Sequence, residues 1–412
     1  MSSQPLNVAI IGAGLSGLSL AVALQQQNIS CTLYERLASP LNIGGAVMLS
    51  PNALKILDAL SVYPRIRNKG YSFETLEYKD GDGKLMEVYE FGGEAKYGYK
   101  GLRIYRTALI EELLEILREQ GVKLVFGKKF KRVVEESEDG VKWEFEDGEI
   151  GEASLLVGAD GINSSVRKYL YPDLTPTFTG GIGITAAVPT SQLKLPPGYH
   201  IPVTVMTPHG GFVIAPQEVD GPEVLIGKQK RVEKDHGRAG WDAISADKEA
   251  LVKFLQQGAE NFPDFVQNAV SSIPHGKINV WPFYVVPKLD KLTSEKRRVI
   301  ILGDGAHAIP PSAGQGINQA FEDVYMFALL LGQADKVDMQ EALKFWQEYR
   351  EQRIAQVLKL NKQIEMRRMT EEEKLKENIP AGSIHEIELS SLYKPDFKKD
   401  VDDWVAAKTV AA

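Results

Sequence analysis

Apolar residues along the chain fall into two periods, short blocks of the strand type and longer stretches of the helix type. The block Val8 to Ile11 is followed by Leu18, Ala21, Val22 and Ala23 at helical spacing, then by a second apolar run from Cys31 to Tyr34. Strand, helix and strand in that order predict a βαβ unit with parallel strands. A helical pattern occupies residues 107–120, and Val141, Trp143 and Phe145 alternate as a half-buried strand does, after a turn at Asp139-Gly140. Residues 176–275 read differently. Runs such as GIGITAAVP, VTVMTP, GFVIAPQ and VLIGKQ, separated by proline and glycine, predict a mostly antiparallel sheet, with one helix near 246–257. A strand at 298–302 then precedes a helix whose apolar positions are Ile317, Ala320, Phe321, Val324, Phe327 and Leu331. A long helix follows from Met339 to about Lys376, with Leu343, Trp346, Tyr349 and Ile354 as packing positions, and then a short tail with Trp404.

The first strand-to-helix turn carries Gly12, Gly14 and Gly17 in G-x-G-x-x-G register, the fingerprint of a dinucleotide site. Gly12 allows the tight turn, Gly14 lets a pyrophosphate approach the backbone, and Gly17 lets helix and strand pack closely. With Leu15 and Ser16 between them, these residues aim free N–H groups and a positive helix end at phosphate. The second run ends in Glu35-Arg36. An acid at that distance accepts from a ribose 2′-hydroxyl and repels a 2′-phosphate, so the expected ligand is an unphosphorylated adenine dinucleotide, FAD or NAD.

A second segment, RVIILGDGAHAIPPSAGQGINQAFED, decides between them. Asp304 follows its strand, Pro310-Pro311 stiffens the loop, and Gly314-Gln315-Gly316 opens the helix that continues with Ile317. Between the two segments lies LLVGADGINSSVRK, with Asp160-Gly161, Ser164 and Arg167; Arg106 stands at the head of the helix at 107–120, and Gly44-Gly45-Ala46 precedes MLSPNAL. This ordered set resembles the group A FAD-dependent monooxygenases, the p-hydroxybenzoate and salicylate hydroxylase-like family, over roughly residues 5 to 360. The resemblance implies that Asp304 holds the ribityl chain of FAD, that Arg106 reaches the FAD, that Gly45 and Ala46 lie beside the isoalloxazine ring, and that Asp160 packs against the dinucleotide. It also implies that the helix opening at Gly316 points its N-terminus at the pyrimidine edge of the flavin, where a reduced ring carries negative charge. Pro311, Gly314 and Ile317 belong to the same expected cofactor contact.

The implied fold is α/β: a discontinuous Rossmann-type FAD domain (1–72, 100–175 and 276–332), an inserted antiparallel-sheet substrate domain (73–99 and 176–275), and a C-terminal helix and tail (333–412). The tail is too short for the long helix plus the thioredoxin-like domain of the related phenol hydroxylases, so the chain looks like the shorter salicylate hydroxylase-like or tetracycline-inactivating type.

Bulk properties exclude other classes. A chain of 412 residues, 43% hydrophobic and 25% charged, has material for a large core, and a formal charge of −7 offers no basic footprint for nucleic acid. The single cysteine, Cys31, cannot form an internal disulfide and suits a reducing compartment. The absence of a long apolar segment or basic leader points to a cytoplasmic protein with no membrane span. No metal site is expected.

By the same resemblance, FAD is reduced by NADPH or NADH and reacts with O2 through a C4a-hydroperoxyflavin, which hydroxylates or epoxidises a small aromatic substrate. No obligate reductase partner is expected. Candidates for proton handling in the substrate sheet are Tyr199, His200, His209 and Tyr284 and, less directly, Trp281. Two alternatives stay open: a FAD-dependent reductase or oxidase without oxygen transfer, and a non-catalytic binding protein on a FAD-type scaffold.

Overall fold

In the computed structural model, which describes residues 6–40, 45–369, 371–380, 382–385 and 387–411, the first strands are β1 (Asn7–Ile11), β2 (Ser30–Tyr34), β3 (Ala46–Leu49) and β4 (Tyr71–Phe73). After them come β5 (Thr75–Asp80), β6 (Leu85–Glu90), β7 (Gly101–Tyr105), β8 (Lys123–Val125), β9 (Phe130–Glu136), β10 (Val141–Phe145), β11 (Ile150–Ala153) and β12 (Leu155–Gly158). The last are β13 (Thr177–Pro189), β14 (Val203–Thr207), β15 (Gly210–Pro216), β16 (Glu223–Arg231), β17 (Ile278–Val285) and β18 (Val299–Ile301). The expected Gly44 lies outside the described residues.

β1, β2, β8, β12 and β18 form a parallel sheet in the order β18-β12-β1-β2-β8. Its central strands read VAII and LLVG without alternation because both faces are covered. Helix α1 (Leu15–Gln26) covers one face and is buried on nearly all sides, which explains its unbroken run from Leu18 to Leu24. Helix α2 (Arg106–Glu119) packs beside it. Cys31 sits buried in β2, where desolvation pushes its thiol up to about 11.

A seven-stranded sheet, order β17-β13-β16-β15-β14-β5-β6, forms a roof; its pairs are antiparallel except β14–β5. One face carries Ile184, Val203, Val205, Phe212, Ile214 and Ile226 and packs on α3 (Gly237–Ala246), α4 (Lys248–Gln256) and α5 (Asp264–Ser271). The period of two sends their neighbours, Thr185, Thr204, Val213 and Gly227, to the other face. β17 belongs to this roof, although a boundary at 276 assigns its residues to the nucleotide domain; its aromatic run pairs with β13 rather than continuing into β18. A small sheet, β3-β7-β4, lies between the parallel sheet and the roof.

Helices α6 (Gly316–Leu331) and α7 (Met339–Arg368) close the molecule, and α8 (Phe397–Ala411) lies against α6. The long helix ends at Arg368, short of the expected Lys376. Two acids on α6, Glu322 and Asp323, are fully buried and face Arg350 and Arg353 of α7. Arg350 Nε donates to Asp323 Oδ1 at 2.7 Å, and its Nη1 donates to Glu322. Arg353 donates to both Glu322 oxygens, at 2.6 and 2.9 Å, and Asn52 adds a third donor at 2.7 Å. Burial alone raises a carboxyl; here Arg353 and Arg350 outweigh it for Glu322, and His307 and Arg350 for Asp323, so both sit below the usual range.

A carboxyl held low when folded contributes stability above its unfolded value, about 4, and loses it as pH falls. Arg350→Met removes the compensation and is expected to cost about 3–5 kcal/mol at pH 7. That deficit should shrink toward pH 4 as the stranded acids take up protons. Urea midpoints of both proteins across pH 4–8 measure this, and a pH-independent deficit would contradict it.

Candidate functional site

The nucleotide end is built from β1, α1 and β2. Gly12 adopts φ +106°, and a Cβ there would lie 2.6 Å from the Ala159 carbonyl oxygen. A Cβ on Gly17 would lie 1.9 Å from the Gly12 carbonyl oxygen, so the helix reaches the strand only through glycine. Gly14 differs: its backbone is extended and a Cβ would meet nothing within 4 Å. No side chain caps α1, leaving its first N–H groups, from Leu15 and Ser16 onward, free toward that open side. The Glu35 carboxylate accepts the N–H groups of Ala13 and Leu37, each at 2.9 Å, which holds it beside the turn. Arg36 is exposed at the end of β2.

The second half comes from β3, β7, β18 and α6. Gly303 has φ +58°, and a Cβ on it would meet Ser16 Oγ at 2.9 Å, so the Asp304 loop packs onto the first glycine turn. Asp304 is reached by solvent yet ringed by protein, as a group on the floor of a cleft is; that surrounding raises its carboxyl against the pull of His307 and Arg106. Arg106 opens α2, its N–H reaches the Gly45 carbonyl at 3.3 Å, and its Nε is buried with no partner. Ala46 begins β3 directly after Gly45, where a Cβ would meet open space. Pro311 begins a single helical turn, Gly314 ends it at φ +63°, and α6 starts uncapped at Gly316 and Ile317, with open space over Gly316.

Asp160 lies beside Gly12, but its carboxylate turns back on its own loop, accepting Ser164 Oγ–H at 2.5 Å and the N–H groups of Ser165 and Val166 at 2.6 and 3.2 Å. Arg167 then donates to the Gly305 carbonyl at 2.9 Å. Asp160 thus braces the Asp304 loop from its place beside Gly12.

Of the proton-handling candidates, Tyr199, Tyr284 and His209 are not on the inner face of the roof. Tyr199 packs on Phe265 with Lys79 4.0 Å above its ring, in the core between the sheet and helices α3–α5. Tyr284 donates to Asp235 at 2.6 Å and packs in that same core. His209 is exposed in the turn between β14 and β15. Eight residue steps along an extended strand, β15 with its two flanking positions, separate it by about 26 Å from Gln217 at the other end.

What faces the inner side is different. Register puts Ala46 opposite Tyr105, and Met48 and Tyr71 opposite Arg103, so these side chains share the face of the small sheet that begins beside Gly45. Met48 and Tyr71 pack with Leu76, Tyr78 and Met206 of the roof. Asn318 joins the parts: it takes the Ser50 N–H at 3.0 Å and donates to the Gly314 and Met48 carbonyls at 2.7 and 3.0 Å. Asp323 Oδ2 takes the Gly303 N–H at 2.8 Å and pairs with His307 Nε2 at 2.5 Å. The one sequence signal for Asn318 and Asp323 is that both are polar within an apolar helix.

A family model described as an FAD binding domain matches residues 5–361. The chain is 31% identical over 87% of its length, and 87% of the relative's, to 3-amino-4-hydroxybenzoate 2-monooxygenase of Streptomyces platensis. It is 25% identical, over 88% of this chain and 91% of the other, to 6-hydroxynicotinate 3-monooxygenase of Bordetella bronchiseptica. Its fold superposes on a crystal structure of CtdE in complex with FAD and substrate 4 with a TM-score of 0.80, at 20% identity over 98% of this chain and 99% of that one.

The residues fit FAD. The unfilled space at Gly14, Gly45 and Gly316, two uncapped helix ends and the orphaned Arg106 Nε supply donors and room. Gly14→Ala is therefore expected to leave the melting temperature of the apoprotein unchanged while weakening FAD binding at least tenfold, whereas Gly17→Ala should lower the apoprotein melting temperature itself. Equal behaviour of the two variants would refute the distinction. Glu35→Ala should weaken FAD by roughly the 1.5–3 kcal/mol of a charge-assisted hydrogen bond, read by flavin fluorescence titration; an unchanged affinity would remove Glu35 from the ribose.

Proposed function

The chain belongs to the FAD-binding-domain family of group A flavin monooxygenases, and on that premise we propose that it is a single-component enzyme oxygenating an electron-rich aromatic ring held between the roof and the small sheet. It is an FAD-dependent monooxygenase of small aromatic substrates, with NAD(P)H as the electron donor typical of the family. The observation that carries the finer reading is the pair of inner faces: Ala46, Met48 and Tyr71 on the small sheet, and Thr185, Thr204, Val213 and Gly227 on the roof.

Bound FAD supplies two-electron chemistry with a nicotinamide and one atom of dioxygen for the ring. The chain supplies position and solvent exclusion. Glu35, the α1 N-terminus and Arg106 are the groups to hold the dinucleotide, and Asp304 faces the same cleft. The α6 N-terminus favours negative charge at its open end. Thr204 Oγ1, buried without a partner on the inner face, is free to donate to or accept from a ring substituent. The apolar neighbours Val213, Ala215 and Met206 keep water from the reacting centre.

No helix among the described residues is long and apolar enough to cross a membrane. The lone buried thiol of Cys31 suits the reducing cytoplasm, where this reading places the enzyme. Because one flavin serves reduction and oxygenation, a true substrate should stimulate NADH or NADPH oxidation by the purified protein alone. One atom from labelled dioxygen should enter the product. A product free of the label would replace this reading with the reductase or oxidase alternative, and a requirement for a second protein would overturn its single-component part.

A further inference from the structure

Arg103 is 6% exposed, in the middle of β7, and no carboxylate pairs with it among the described residues. Its one protein partner is an amide: Nη2 donates to Gln217 Oε1 at 2.8 Å, while Nε is buried with nothing to bond. The neighbouring acid, Glu223, is engaged by Tyr105 and Lys277 instead. A guanidinium carries five N–H donors in a planar fork, and burying it without an opposite charge is costly. Arg350, equally buried, is the contrast: two carboxylates and Gln319 surround it. Burial pulls the Arg103 pKa down to about 10, against a slight opposing influence of Tyr105.

Its location gives the unmatched charge a use. Arg103 shares its face of the small sheet with Ala46, Met48 and Tyr71 and reaches the roof at Gln217. On the inner roof face, Thr185, Thr204, Val213 and Gly227 are uncharged, and the cation that alternation adds there, Arg231, stands at the end of β16 away from Gln217 and faces Glu377 at 3.9 Å. We infer that Arg103, oriented by Gln217, is the specificity residue that anchors a carboxylate on the aromatic substrate, so that the enzyme takes aromatic acids in preference to their neutral counterparts. This rests on the monooxygenase reading above and narrows its substrate class. A planar oxyanion matches the fork bidentately, which a point charge such as lysine does not.

The test is a titration of the FAD-loaded enzyme, without nicotinamide, followed by the flavin absorbance change. The probes are 4-hydroxybenzoate, 3-amino-4-hydroxybenzoate and 6-hydroxynicotinate, each beside its methyl ester. Wild type should bind at least one acid about tenfold or more tighter than its ester, the scale of a charge-assisted hydrogen bond. Arg103→Gln should bring that acid to parity with its ester, leave the ester unchanged and retain FAD; Arg103→Lys should restore only part of the preference. Arg103→Met should melt no lower than wild type, since it removes an uncompensated buried charge, whereas a purely structural arginine would lower the melting temperature. Wild type that prefers no acid, including one that binds no probe, a preference that survives in Arg103→Gln, or loss of FAD from the variants overturns the assignment. Binding is read without turnover, so acid preference can fail while labelled oxygen still reaches a product, and the converse can also occur.

Discussion

The Asp323 carboxylate is the point on which the cofactor half of the molecule turns. One oxygen takes the Gly303 N–H and His307, fixing the left-handed turn that presents Asp304; the other takes Arg350 from a helix that begins after the last sheet strand. A buried acid with only neutral donors would be pushed toward protonation. Paired as it is, it stays charged and transmits the position of α7 to the loop. Two lighter contacts repeat the connection: Asn361 accepts the Ala313 N–H at 2.7 Å, and Ser312 donates to Glu365 at 2.9 Å. The C-terminal helix is thus part of the floor on which the flavin loop rests.

Two buried arginines show how differently one residue type is used. Arg350 is saturated by acids and contributes to holding the chain together. Among the described residues, Arg103 has four of its five N–H groups without a protein partner, and a fold selected for stability alone has no reason to keep it there. Its cost is local, and the small sheet tolerates it because the opposite face of β7, Leu102 and Ile104, is set in the main core.

The glycine turns, Glu35, Arg106 and the start of α6 were legible in the sequence because each answers a local demand: a positive φ, a close approach, a helix end. Arg103, Asn318 and Asp323 were not, because their meaning depends on pairings between distant segments, such as Met48 with Arg103. The same limit misdirected the choice of His209, Tyr199 and Tyr284. Alternation tells that a strand has two faces, but only register tells which one faces the flavin loops. The bracing role of Asp160 was equally hidden, because it depends on the turn that its carboxylate gathers around Ser164 and Ser165.

The roof is sewn to the rest of the molecule rather than appended to it. The chain passes between base and roof four times, from β4 to β5, from β6 to β7, from β12 to β13 and from β17 to β18. No single cut releases the roof, and its one parallel pair, β14 with β5, joins segments that lie on opposite sides of the nucleotide strands in sequence. Recombination could not have exchanged such a roof as a cassette. Within this architecture a lineage acquires a new substrate by replacing side chains one at a time on an inherited frame, with Thr204 and Val213 among the cheapest positions to change and the glycine turns among the dearest.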